Sequence, residues 1–343
     1  MGSFFLPGKP KVNILYRIIY WLLLIGIFFL FWSCAATTGR APKPFKTQNI
    51  VVVVIDGPRH SETWGNEPGL ISFMSGTLKR RGVFFSDFQN DAFTYTNSGH
   101  VAITTGVNQK IDNYGAELPA NPSYFQYWLK ATGKPATAAW LVMSKDKLDI
   151  LANTQDSTWY GLYQPSVNCG IDGHGSGYRA DSLTLAKALQ VLTEHHPNLL
   201  MINFMEPDGF AHAGNWDYYL RGIARSDKYI KQLWDFLQQD KFYKNTTALL
   251  ITNDHGRHLN NIQEGWMEHG DLCEGCRHIS LLAIGPDFKK GTTIAEKHTL
   301  VDIPTTIAPL LGIKMDRSGG QLMRSIFSRK ALKRLDATVT VVQ

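Results

Sequence analysis

Asn49-Ile50-Val51-Val52-Val53-Val54-Ile55-Asp56-Gly57 is the stretch that decides the fold. Its β-branched run, Ile50–Ile55, has no polar alternation, so it reads as a strand buried on both faces, the kind that parallel sheets contain. Asp56 follows at once, which puts a carboxylate where the strand stops. Working outward, similar short runs occur at Ala136–Val142, Leu199–Phe204, Ala248–Thr252 and Ile279–Ile284. Between and after them, Ser123–Ala131, Ala180–Glu194, Trp216–Gln239 and Ile303–Leu311 space their apolar residues as helices with one buried face. This alternation predicts an α/β fold, helices packed on a mostly parallel central sheet. No internal repeat or second composition regime appears, so residues 48–335 read as one domain. The glycine-rich segment Gly170–Gly177 around His174 lacks the strand-then-helix setting of a phosphate-binding glycine motif and reads as a mobile surface segment, placed over whatever site the strands build.

The 343 residues are 44% hydrophobic, enough for a substantial core and unlike a disordered or fibrous chain. Formal charge is +6, but residues 1–47 contain six basic residues (Lys9, Lys11, Arg17, Arg40, Lys43, Lys46) and no acid. The rest is therefore neutral, and nothing in the charge balance supports a nucleic-acid-binding surface. Ile18–Trp32 is an unbroken apolar run of 15 residues preceded by positive charge, the length of a signal-peptide core and short for a membrane span. Leu30-Phe31-Trp32-Ser33-Cys34 resembles a loose lipoprotein cleavage box; the alternative is an uncleaved signal anchor. Either way the charge order predicts export of everything that follows, with attachment to the membrane through residues 1–47. Cys273-Glu-Gly-Cys276 looks like half a zinc knuckle without its second half, so a small disulfide loop or two idle thiols is the expectation, with Cys169 apart from them.

Polar clusters recur at strand ends, where open α/β sheets place their ligands. Besides Asp56, Leu199–Phe204 leads to Glu206-Pro207-Asp208 with His212 four residues beyond Asp208, and Ala248–Thr252 leads to Asn253-Asp254-His255-Gly256. Asp208 and His212 would share one helical face, and Asp254 and His255 could reach one metal from a sharp turn that Gly256 would ease. Singly, each residue has a plain structural reading as a helix cap or a hydrogen-bonded core histidine. Three such clusters at three strand ends argue for a metal centre. Thr96 precedes a helix expected over Asn97–Thr105, so it would occupy the N-cap, where free N–H groups and the helix dipole suit a phosphoryl oxygen.

Taken together these residues resemble the alkaline phosphatase superfamily, especially its nucleotide pyrophosphatase/phosphodiesterase and phosphoglycerate-mutase-like branches. The resemblance extends over nearly all of residues 49–315, from Val-Ile-Asp56-Gly-Pro-Arg59 through Thr96, Glu206-Pro-Asp208-x-x-x-His212 and Asp254-His255-Gly256 to Asp302-Ile-Pro-Thr-Thr-Ile-Ala-Pro-Leu-Leu-Gly312. It implies a three-layer α/β/α sandwich, Thr96 as nucleophile, and two divalent ions, zinc or manganese. Asp56, Asp254 and His255 would hold the ion that activates Thr96; Asp208, His212 and a later histidine would hold the other. For that histidine there are two candidates, His269 and His278, of which His269 fits the phosphodiesterase spacing better. His258 matches no motif and reads as a surface residue. Asn113 sits where related phosphodiesterases have an asparagine that binds a phosphoryl oxygen. A threonine is unlike the Cys-x-Pro-x-Arg setting of formylglycine sulfatases. The implied activity is hydrolysis of a small phosphorylated substrate; transfer of a phosphoryl or phosphoalcohol group to an envelope acceptor, or binding without catalysis, are the competing readings.

Overall fold

The computed structural model describes residues 1–3, 44–66 and 68–341. The apolar run 18–32 and Cys34 lie outside them. Among the described residues no helix is long and apolar enough to cross a membrane.

Strand β1 (Asn49–Ile55) is wholly buried and pairs in parallel with two neighbours, Ile50 opposite Leu199 on one side and Ala248 on the other. The remaining strands are β2 (Val83–Gln89), β3 (Ala139–Met143), β4 (Ser166–Cys169), β5 (Leu199–Phe204), β6 (Thr247–Thr252), β7 (His278–Ile284), β8 (Thr292–Ile294) and β9 (His298–Thr299). Their order is β4-β3-β5-β1-β6-β7-β2-β8, with β9 also on β2; β7 runs antiparallel to both its neighbours and the other pairings are parallel.

The helices are α1 (Thr96–Thr105), α2 (Tyr124–Thr132), α3 (Asp181–His195), α4 (Glu206–His212), α5 (Trp216–Gln239), α6 (Glu274–Arg277), α7 (Asp302–Ile307) and α8 (Arg329–Val341). Because side chains alternate along a strand, β1 feeds two cores. Ile50, Val52 and Val54 join α1, α2, α7 and α8, whereas Val51, Val53 and Ile55 join α3, α4 and α5. The protein is thus the expected three-layer sandwich.

Departures from the sequence expectation have local causes. Strand β2 was hidden by Ser86-Asp87; its pairing with β7 slips between Phe85 and Phe88, and this irregularity takes the polar pair out of the apolar alternation. Strand β4 lies at the sheet edge and needs no apolar run. Ala136–Ala138 forms a short 3-10 turn, so β3 begins only at Ala139. The last predicted helix ends early, at Ile307, because Pro309 has no N–H to continue the ladder.

Candidate metal centre

The strands β3, β5, β1 and β6 are neighbours, so their C-terminal ends open onto one edge of the sheet. Each delivers chemistry there: Ser144-Lys145 after β3, Asp208 and His212 on α4 after β5, Asp56 after β1, Asp254 and His255 after β6. All of these except His212 are at most 3% exposed.

Asp56, Asp254 and His255 form the first cluster. His255 Nε2 lies 3.4 Å from Asp56 Oδ1 and 3.5 Å from Asp254 Oδ2, and none of these three buried atoms has a hydrogen-bond partner. Leaving three converging polar atoms dry and unpaired is costly, and a divalent cation is what would satisfy them together. Their other atoms are already fixed. Asp254 Oδ1 accepts from the N–H groups of Gly57 and His255, and Asn203 donates to Asp56 Oδ2. His255 Nδ1 is 2.9 Å from the Gly256 carbonyl, which can only accept, so the proton sits on Nδ1 and Nε2 presents its lone pair to the cluster.

Asp208, His212 and His269 form the second cluster. His212 Nε2 is 3.3 Å and His269 Nε2 3.5 Å from Asp208 Oδ1, and the two imidazole nitrogens are 3.2 Å apart. His269 Nδ1 donates to the Thr94 carbonyl, again turning Nε2 inward. Burial holds His269, whose ring lies stacked against His255, well below the usual histidine range, so it is a neutral, ligand-ready imidazole. The alternative, His278, opens β7, contacts the Ser86 carbonyl and stacks on His60, away from the cluster.

Two cations missed by the sequence reading stand in this site. Lys145 Nζ is 2.6 Å from Asp208 Oδ2, 2.9 Å from Asp56 Oδ2 and 3.1 Å from Thr96 Oγ1. Burial alone would lower its pKa, but Asp208 and Asp56 overturn this and raise it, so it is an ammonium. In return, burial opposes ionisation of Asp56 and Asp208, and Lys145 holds both carboxyls below the usual range, helped at Asp208 by Arg257. Arg257 bonds Asp208 through Nη1 and the Trp266 and Met267 carbonyls through its other nitrogens. Gly57, at φ +67°, makes room for that pair; a β-carbon there would come within 2.8 Å of Arg257 Nη1 and 2.9 Å of Asp208 Oδ1. The strand-end rule applied to β3 would have found Lys145; Arg257 directly follows Asp254-His255-Gly256.

Thr96 is the first residue of α1 rather than its N-cap, which is Tyr95. Buried at 1% exposure, it places its hydroxyl on Lys145 and its carbonyl on His100 Nδ1. Asn113 lies beside it, with Oδ1 accepting from the Asn97 N–H, so its side-chain carbonyl secures the start of α1. Glu206 faces Arg225 and the Asp181 N–H instead of the clusters. The Gly170–Gly177 loop is tied to the residues after Lys145 through Gly177 N and Asp146 Oδ2, with Tyr178 placing its ring 5.6 Å from Lys145 Nζ. His258, expected at the surface, is 1% exposed because residues 256–258 pack beneath the 268–276 segment.

A model of the sulfatase family matches residues 48–313. The chain belongs to that family, within the alkaline phosphatase superfamily. Among solved structures, this sulfatase-family chain is similar to an alkaline phosphatase superfamily protein from Vibrio parahaemolyticus, with TM-score 0.60 and 16% identity over 84% of this chain and 72% of that one. It is similar also to murine ectonucleotide pyrophosphatase/phosphodiesterase 5, with TM-score 0.58 and 16% identity over 82% of this chain and 100% of that one. At these identities the likeness shows the fold. Among curated proteins, a 2,3-bisphosphoglycerate-independent phosphoglycerate mutase from Gracilaria tenuistipitata var. liui is 27% identical over 130 residues, 37% of this chain and 24% of that protein. The match thus spans about a quarter of the curated relative's length. Members of this superfamily use divalent metals.

Proposed function

We propose that this chain is a metal-dependent phosphoric ester hydrolase with Thr96 as its nucleophile. One observation supports this above the rest: the buried Thr96 hydroxyl is hydrogen-bonded to Lys145, whose ammonium also grips one carboxylate from each donor cluster. Asp56, Asp254 and His255 would hold one divalent ion, and Asp208, His212 and His269 a second; the mixed nitrogen and oxygen donors suit zinc, with manganese as the alternative. When bound, such ions supply Lewis acidity, making the threonine hydroxyl acidic and offsetting charge on the phosphoryl group.

The chain's own residues do the rest. As Thr96 loses its proton, the Lys145 hydrogen bond becomes a bond to an anion and strengthens, so it favours the ionised nucleophile over the resting hydroxyl. Being protonated already, Lys145 holds the oxygen and does not take its proton. Arg257 and Lys145 fix both oxygens of Asp208, so this carboxylate cannot swing as charge moves. Attack by Thr96 Oγ1 would form a phosphothreonine as the ester P–O bond breaks, the threonine proton passing through solvent to the departing alcohol; water would then break the P–Oγ1 bond, releasing the phosphate product and restoring the threonine hydroxyl. Sulfate chemistry through formylglycine requires a β-carbon that can become an aldehyde; the threonine β-carbon bears a methyl group and cannot.

Access would run past His212, whose side chain is 37% exposed, to small phosphorylated substrates. In this reading residues 1–47 tether an exported catalytic domain, 48–335, to the membrane. The test is Thr96→Ala: metal content should persist while turnover of chromogenic mono- and diesters disappears, and retained turnover would remove Thr96 from the reaction. Running the wild-type chain with candidate acceptor alcohols separates hydrolysis from transfer by the ratio of free phosphate to transferred product.

A further inference from the structure

Beyond the catalytic clusters, four donors of one loop converge, His258 from its start and three from residues 271–276: His258, Asp271, Cys273 and Cys276 each offer a ligand atom, all within 4.8 Å of one another. The half knuckle seen in the sequence has thus found a second half, His258 and Asp271, supplied by the fold. Cys273 is the N-cap of α6 and Cys276 lies in its single turn, so the two thiols point from one compact corner. Both are free thiols. His258 is 1% exposed, yet neither Nδ1 nor Nε2 has a hydrogen-bond partner; Nε2 stands 3.4 Å from Asp271 Oδ1. A buried imidazole with both nitrogens unpaired is a cost that the fold would not retain without a ligand.

We propose that these four residues form a closed, structural zinc site, separate from the catalytic centre. Two thiolates, an imidazole and a carboxylate make a four-donor set, soft enough to select zinc over calcium or magnesium and leaving no open position for substrate. The backbone around it is already built. Gly256 N donates to the Cys276 carbonyl and His258 N to the Glu268 carbonyl, and Arg59 donates to the His258 carbonyl. Gly256 passes so close to Gly275 that a β-carbon would come within 2.1 Å of its carbonyl oxygen, which explains this glycine by close approach; its φ is not positive. Two of the four ligands lie beside residues of the catalytic centre in sequence. His258 follows Arg257 and lies three residues after His255, and Asp271 lies two residues after His269. A bound zinc ion would therefore fasten the loop that positions those three side chains, and it would keep both cysteines from oxidising in an exported protein.

The experiment uses the full chain purified in detergent under reducing conditions, in a Cys169→Ala background. Zinc per chain is measured for this protein and for its Cys273→Ser/Cys276→Ser form, and cobalt is exchanged into both. The expected result is one zinc equivalent fewer in the double serine variant, and thiolate-to-cobalt charge-transfer absorption that it lacks but that Asp254→Asn keeps. Equal zinc content, absence of that absorption in the parent, or a Cys273–Cys276 disulfide in the isolated chain would overturn the proposal. If the serine variant does not fold, the parent's cobalt spectrum decides, with Asp271→Asn expected to release zinc to a chelator faster than the parent.

Discussion

Replacing Lys145 by Met separates its catalytic role from metal retention. The side chain has nearly the same length but no charge, and it would sit among Asp56, Asp208 and Thr96 in a pocket where Lys145 is 2% exposed. In the metal-free chain, Asp56 and Asp208 lose the ammonium at 2.9 and 2.6 Å, and removing one partner of a buried pair costs about 3–5 kcal/mol. Loss of one preorganised donor to a developing oxyanion lowers kcat by roughly 10²–10³, about 2.7–4 kcal/mol. Metal affinity should move the other way. Three carboxylates, Asp56, Asp208 and Asp254, face the cations Lys145 and Arg257; without Lys145 the site is more negative by one charge and Asp208 Oδ2 is released to a divalent ion. The variant should therefore bind divalent ions more tightly in competition with a chelator, be rescued in thermal stability by them, and still turn over slowly at saturating metal. A kcat within about threefold of wild type at saturating metal, or weaker metal binding, would refute the role assigned to Lys145.

Gly57→Ala forces a side chain onto a left-handed backbone and against the Asp208–Arg257 pair; a loss of about 1–2 kcal/mol from backbone strain alone should appear in denaturant unfolding, together with reduced turnover. Asp181 accepts from Ser144 Oγ and from the Met205 and Glu206 N–H groups, so it joins the Lys145 and Asp208 segments. Burial, followed by repulsion from Glu206, pushes it up to about 7 from 3.8. A carboxyl raised on folding makes stability fall as pH climbs from about 4 to about 7, with the full penalty, on the order of 4 kcal/mol, present above that. Asp181→Asn should flatten this part of the stability–pH curve even if it is less stable overall; an unchanged slope in urea unfolding across pH 4–8 would contradict the assignment.

The sheet was legible because its central strands are buried on both faces, and a run such as Val51–Val54 has no other comfortable environment. The carboxylates and histidines at the strand ends were legible for the same reason: a strand of known direction fixes where its next residue emerges. Lys145 obeys that rule equally well, yet nothing in Met143-Ser144-Lys145-Asp146 distinguishes a buried ammonium from a solvated one. Its burial depends on Asp56 and Asp208, which arrive from strands 60 to 90 residues away in either direction along the chain. The same limit hid His258 as a partner of Asp271, Cys273 and Cys276, since it becomes their neighbour only after the 256–276 loop folds back on itself through Gly256 and Gly275. A single strand exit can be read locally; a charge-compensated site cannot, because each of its members is tolerable only in the presence of the others. That mutual dependence is also why Lys145 and Arg257 matter more to the electrostatics here than any one candidate metal ligand: they set how much positive charge the three carboxylates still require.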